Sequence, residues 1–178
     1  NALGAASLAC TLGVGIEPIA RGLKAFSGVA RRFELWGEVD GVLVVDDYAH
    51  HPTEVTAALK AARQSGRRVV AVFQPHLYSR TRALGREFAR ALGTADQVLL
   101  TEIYPSREEP LPGVSAEMIV RAMRENGFQQ ARFVPDKEQL PDLLLENCRC
   151  GDLVITLGSG DIDQVAEKLL EKLRLRAD

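Results

Sequence analysis

The sequence predicts an α/β fold, a mainly parallel sheet covered by helices on both faces, and three observations carry that prediction. Apolar runs such as residues 69–73 and 153–157 are too short for helices and lack the alternation of a half-exposed strand. They read as strands buried on both faces. Between such runs, apolar residues recur at helical spacing over segments of roughly ten to fifteen residues, the signature of βαβ units. Asp40-Gly41 divides two strand-like stretches and is a strong two-residue hairpin signal, which adds one antiparallel strand at an edge.

Taken in order, residues 1–13 set Leu3, Leu8 and Leu12 among alanines, predicting a tightly packed helix closed by Gly13 and Gly15. A second helix follows, with Pro18 near its first turn and Ile16, Ile19, Ala20 and Leu23 on one face. Residues 28–32 read as a linker, after which strands are expected at 33–39 and 42–45. Residues 52–64 place Val55, Ala58, Leu59 and Ala62 on one helical face. A strand at 69–73, a helix at 79–92 and a strand at 97–101 come next. A helix at 115–126 ends at Gly127, a short strand spans 131–134, and a helix at 137–147 carries Leu140, Leu143 and Leu144. The strand at 153–157 is the last, and Ile162, Val165, Ala166, Leu169 and Leu173 give the final helix its apolar stripe.

Bulk composition excludes several partners. Twenty-two basic residues against 24 acidic ones give a net charge of −2, with no electrostatic footprint for nucleic acid or an anionic membrane. No apolar run approaches the ~20 residues of a membrane span. The apolar start lacks the basic residues and cleavage pattern of a signal peptide. Cys10, Cys148 and Cys150 are sparse and lack a second ligand pair for zinc, so they read as reduced thiols of a cytoplasmic protein, with no metal site expected.

Ligands of open parallel sheets bind beyond the carboxyl ends of the strands. That rule selects residues 46–52, 74–80 and 158–161, and His50, His51 and His76 all fall in the first two. In Asp46-Asp47-Tyr48-Ala49-His50-His51-Pro52, a buried strand ends in two carboxylates and a helix begins at the proline. The N–H groups of that helix start suit an anion, and the histidines can donate to one or accept a proton near neutral pH. On the next strand end, Arg80 is placed to grip a carboxylate with two parallel hydrogen bonds, which Lys cannot imitate. Arg82 fits a solvated surface role equally well, and Gly158-x-Gly160 reads first as a tight turn. These residues alone leave a transferase, a ligase or a carboxylate-binding module open.

The same blocks, in this order and spacing, resemble the Mur ligases. They are Arg31-Arg32-Phe33-Glu34, then Asp46 through Glu54, then Phe73-Gln74-Pro75-His76-Leu77-Tyr78-Ser79-Arg80-Thr81. Ile103-Tyr104-Pro105, Pro110-Leu111-Pro112-Gly113 and Gly158-Ser159-Gly160-Asp161-Ile162 extend the likeness over essentially the whole chain. The block running from Gln74 to Thr81 is similar to that of the alanine-adding branch.

The resemblance implies a Rossmann-like three-layer acceptor domain over residues 28–178. Residues 1–27 would be two helices left over from a central ATPase domain. It implies amide formation between UDP-N-acetylmuramate and L-alanine, with ATP and Mg²⁺, through an acyl phosphate. Tyr48, His50, His76 and Arg80 would form the alanine pocket, with His50 also the catalytic candidate, while Arg32 and Asp47 would contact ATP. Leu77 stands where the family often has a second arginine, so carboxylate binding is expected to rest on Arg80, assisted by His76 and the helix N-terminus. No Gly-x-x-Gly-Lys-Thr/Ser occurs, so the chain alone is expected to be inactive and to carry no bound cofactor. Leu3 and Leu8 are expected to find other partners, a second copy of the chain (a homodimer) among them. The competing expectations are the tripeptide-recycling branch, which shares the first block, and a non-catalytic module that kept the fold.

Overall fold

The computed structural model describes residues 1–177. The chain divides into two compact units, Asn1–Ala30 and Arg31–Asp178. The first holds α1 (Ala2–Thr11) and α2 (Ile16–Ala25), separated by a turn in which Gly13 adopts φ 81°. Pro18 sits in the first turn of α2, where its missing N–H has no helical partner to lose. Ile19 is buried, whereas Leu3, Leu8, Leu12 and Ile16 are exposed.

Among the described residues the second unit has six strands and five α-helices. In chain order these are β1 (Glu34–Val39), β2 (Val42–Asp47), α3 (Pro52–Arg63), β3 (Arg68–Phe73), α4 (Tyr78–Leu92), β4 (Gln97–Leu100), α5 (Glu117–Glu125), β5 (Ala131–Phe133), α6 (Leu140–Asn147), β6 (Asp152–Leu157) and α7 (Asp163–Ala177). The sheet order is β1-β2-β6-β3-β4-β5, parallel throughout except for β1, which pairs antiparallel with β2 at the edge. Asp40 and Gly41 turn that hairpin with φ of 52° and 71°, the double positive φ that Asp-Gly favours.

Period-2 alternation divides the strand residues between two cores. Val45, Val69, Ala71, Phe73, Leu153, Ile155 and Leu157 pack with α3, α4 and α5, where Phe73 meets Phe88 at 5.1 Å between ring centroids. Val42, Val44, Val70, Val72 and Val154 pack with α6 and α7. This is the expected three-layer arrangement, with both faces of the sheet covered.

Two boundaries differ from the sequence reading for identifiable reasons. β2 runs on through Asp46 and Asp47 because β6 pairs with both, opposite Thr156 and Leu157. The helix expected from residue 137 opens as a single 3-10 turn, Lys137–Gln139, and becomes α-helical only at Leu140. Pro141 has no N–H to give the Lys137 carbonyl, so an α-helical register cannot run through it.

Candidate functional site

The strand order creates the site. β6 lies between β2 and β3; β2 and β3 continue into α3 and α4 on one face, and β6 continues toward α7 on the other. Connections that leave to opposite faces open a crevice at the carboxyl ends. All three predicted rim segments meet there.

Arg31 frames the crevice. Its Nε donates to Asp46 at 2.9 Å, and its two terminal nitrogens donate to the carbonyls of Gly160 and Gly158 at 2.9 and 3.0 Å. Asp46 is fully buried and also accepts from the Thr156 hydroxyl at 2.5 Å. Burial pushes the Asp46 carboxyl up, against the opposing pull of Thr156 and Arg31. Asp47 accepts from the Phe33 and Ala49 N–H groups at 2.9 and 2.8 Å, and burial raises its carboxyl as well. Arg31 lies in the stretch that the sequence reads as linker. Regular register from a turn at Asp40-Gly41 would set Leu35 opposite Asp46; a bulge between Leu35 and Gly37 brings Glu34 there instead, so the pairing of Arg31 with Asp46 could not be read from the hairpin alone.

Above this frame the predicted ligand-facing residues converge. The His50 ring makes edge contacts with Tyr48 at 5.4 Å and with His76 at 5.7 Å, and His76 stacks on Tyr104 at 5.9 Å. His50 Nδ1 lies 2.9 Å from the Tyr48 carbonyl, so that nitrogen carries the proton and Nε2 is left as the acceptor. Arg80 donates to the His50 carbonyl at 3.1 Å and pairs with no carboxylate among the described residues. Arg32 is exposed, with its guanidinium 5.6 Å from the Tyr48 ring centroid. Burial lowers the His76 pKa, and Arg80 and His50 lower it further, against Glu108. Arg82 belongs elsewhere: it lines a groove of about 310 Å³ with Arg86, Met118 and Arg121 on α4 and α5.

The helix starts are less open than the sequence suggests. At α3, His51 Nδ1 accepts from Thr53 N–H at 3.4 Å, and Glu54 accepts from His50 N–H at 3.0 Å. At α4, whose N-terminus is expected to assist a ligand carboxylate, Glu108 already occupies the Ser79 N–H. Its carboxylate accepts from the Ser79 N–H at 2.9 Å and from the Ser79 hydroxyl. These bonds hold the Glu108 carboxyl below its ordinary value. Nothing in the local sequence marks Glu108, because its partner lies 29 positions away.

The Gly158-x-Gly160 turn proves to be a place of close approach. A Cβ on Gly158 would stand 2.9 Å from the Gln74 carbonyl, and one on Gly160 would stand 2.6 Å from the Tyr104 ring. Gln74 donates to Asp161 at 2.9 Å, and Lys137 completes that pair. Gln74 Oε1, His76 Nδ1 and Ser159 Oγ are buried without partners, so the rim holds unused polar capacity. Among the described residues no group of three His, Cys, Asp or Glu side chains could hold a metal, and no helix is long and apolar enough to cross a membrane.

Comparison with known proteins agrees with this geometry. The family model described as "Mur ligase, glutamate ligase domain" matches residues 31–160. The UDP-N-acetylmuramate–L-alanine ligase of Geotalea daltonii is 47% identical over 98% of this chain and 38% of its own length. The ligase of the same name from Rubrobacter xylanophilus is 51% identical over 97% of the chain and 40% of its length. The chain therefore spans about two fifths of the curated relatives it matches. The crystal structure of UDP-N-acetylmuramate-alanine ligase from Thermotoga maritima superimposes with a TM-score of 0.84 at 28% identity, covering 98% of this chain and 37% of that one. A murein peptide ligase from Psychrobacter arcticus gives 0.72 at 27% identity, covering 97% and 36%.

Proposed function

The chain belongs to the Mur ligase family, and from that premise we propose that it is the acceptor-amino-acid domain of a cytoplasmic, ATP-dependent ligase joining L-alanine to UDP-N-acetylmuramate. Residues 1–27 are then the closing helices of the ATPase domain. The phosphate cradle and Mg²⁺ site of that ligase would lie outside these residues, which hold no Gly-x-x-Gly-Lys-Thr/Ser.

The observation that carries the reading is the convergence of Tyr48, His50, His76 and an Arg80 with no carboxylate partner on one rim. Arg80 retains guanidinium donors beyond the one given to His50, in a planar fork that matches a carboxylate. Gripped there, L-alanine turns its amino group toward the imidazoles. His50 Nε2 accepts from the amine and orients it, or, in the doubly protonated ring, donates to the phosphate and steadies it, as the alanine nitrogen attacks the acyl phosphate of the sugar carboxylate. Phosphate leaves and the amide forms. Arg32 and Asp47 face ATP: Arg32 as an exposed cation beside Tyr48, Asp47 through lone pairs not used by Phe33 and Ala49. Swinging this domain over the ATPase domain would exclude water from the acyl phosphate.

The full-length ligase, given ATP, UDP-N-acetylmuramate and L-alanine, is expected to release ADP and phosphate and to form UDP-N-acetylmuramoyl-L-alanine, read by mass. The 178-residue chain alone is expected to hydrolyse no ATP. Product formation from the tripeptide in place of L-alanine would move the chain to the recycling branch. Absence of both products would leave a binding module.

A further inference from the structure

Two neighbouring groups could hold the carboxylate of an incoming amino acid: the Arg80 guanidinium and the free N–H groups at the start of α4. They are one residue apart, at Arg80 and Ser79. A carboxylate held bidentate by Arg80 has both oxygens engaged there, and one held instead at the helix start sits elsewhere and carries its amine with it. A site with two equivalent anchors would bind its substrate in two poses, only one of them reactive.

The structure removes one anchor. We propose that Glu108 is a positioning residue of the acceptor site, filling the N-terminus of α4 with its own carboxylate so that the carboxylate of the incoming amino acid is directed to Arg80. The inference rests on the acceptor-domain reading above. Both Glu108 oxygens are engaged, one by the Ser79 N–H at 2.9 Å and the other by the Ser79 hydroxyl. The two bonds hold the carboxyl below its ordinary value, and its charge opposes a second anion at the same helix start.

The loop that delivers Glu108 is fixed to the site. Leu77 N–H donates to the Tyr104 carbonyl at 3.0 Å and Tyr104 N–H donates to the Pro75 carbonyl at 2.8 Å, so the two strand-end loops run side by side. A turn closes with Glu108 N–H on the Pro105 carbonyl at 3.0 Å, with Ser106 held at φ 55°. Leu77, which starts α4, adopts φ 73°, a conformation unusual for a branched side chain and one held by this lacing. Glu108 is therefore a built component of the rim.

The test uses Glu108→Ala, Glu108→Gln and Glu108→Asp in the full-length ligase, with each substrate varied in turn. Glu108→Ala opens a second, non-productive anchor, so kcat and the KM for L-alanine should fall together, roughly tenfold each for one charge-assisted contact, with kcat/KM little changed. The KM values for ATP and the UDP-sugar should stay within about twofold by the same reasoning. Glu108→Asp should recover part of the loss, and Glu108→Gln, which keeps an acceptor for Ser79 without the charge, should fall between. In ¹⁵N spectra of the 178-residue chain, L-alanine should leave the Ser79 amide unmoved in the wild type and shift it in Glu108→Ala. A lower KM for L-alanine in Glu108→Ala with kcat undiminished, or a wild-type Ser79 amide that moves with L-alanine, would overturn the inference by making Glu108 a displaceable plug. An unchanged KM across all three variants would overturn it too. A wild-type ligase that forms no alanine amide sinks the functional reading, and this inference with it, before any variant is made.

Discussion

Replacing Arg31 with Ala should destabilise the second unit in a way that depends on pH. The substitution removes three hydrogen bonds, to Asp46, Gly158 and Gly160, and leaves the fully buried Asp46 carboxylate with Thr156 as its only side-chain donor. Breaking a buried ion pair by deleting one partner costs about 3–5 kcal/mol. The Arg31 side chain is 21% exposed, so water reaches part of the gap and the lower end applies, about 3 kcal/mol at pH 7. The sign of the pH effect follows from Asp46. Its folded pKa is already raised by burial, and loss of the lowering partner Arg31 raises it further. A raised carboxyl favours the folded state below the unfolded value of about 4, and that advantage disappears as pH rises through the folded value. The Arg31→Ala penalty should therefore be full at pH 7 and shrink toward pH 4, where Asp46 takes up a proton. Urea unfolding can be followed by Trp36, the single tryptophan, which lies half-buried on β1. Adding Asp46→Asn to Arg31→Ala should restore about 1–2 kcal/mol at pH 7, because the unpaired charge is gone and Thr156 keeps an acceptor. A loss below about 1 kcal/mol, a loss that does not change with pH, or a silent second substitution would refute the argument.

Other outcomes are expected from the same geometry. In the full-length ligase, Arg80→Lys should lower kcat/KM for L-alanine nearly as far as Arg80→Ala, roughly ten- to a hundredfold, since either change loses the bidentate fork. An effect confined to the KM for ATP would move Arg80 to the nucleotide side. Gly160→Ala drives a methyl against the Gln74 side-chain oxygen and to within 2.6 Å of the Tyr104 ring, and should cost about 1–3 kcal/mol in urea unfolding. That cost should fall in a Tyr104→Ala background, and an equal cost in both backgrounds would place the strain on Gln74 alone. Cys148 is buried and its thiol is pushed up to about 11, whereas Cys10 and Cys150 are exposed, so iodoacetamide at pH 8 should label those two alone in the folded chain. Rapid labelling of Cys148 would contradict the burial.

The layers of the fold were legible because the sequence states them locally. Runs such as Val69 to Phe73 say strand, Val55 to Ala62 say helix, and Asp40-Gly41 says hairpin. The rim was legible by the same means, since strand ends and helix starts are adjacent in sequence, and His50, His76 and Arg80 all sit at such junctions. Strand order was not legible, because nothing near residue 153 says that β6 will enter between β2 and β3. Arg31 and Glu108 were missed for the same physical reason. Their roles exist only through partners 15 and 29 positions away, or more than a hundred in the case of Gly158 and Gly160. A motif names residues that face a ligand, and says less about those that hold them in place.

Because β6 is the last strand in sequence and lies at the centre of the sheet, the domain cannot be finished piecemeal during synthesis. β2 and β3 have no hydrogen bonds to each other; each pairs with β6. A nascent chain that has emerged only as far as α6 carries two separate strand groups with raw inner edges, and Arg31 has no Gly158 or Gly160 carbonyl to hold. Such edges invite pairing with other chains. Translation must therefore deliver β6 before the interior closes, and a chain ending short of it would leave those edges open to proteolysis.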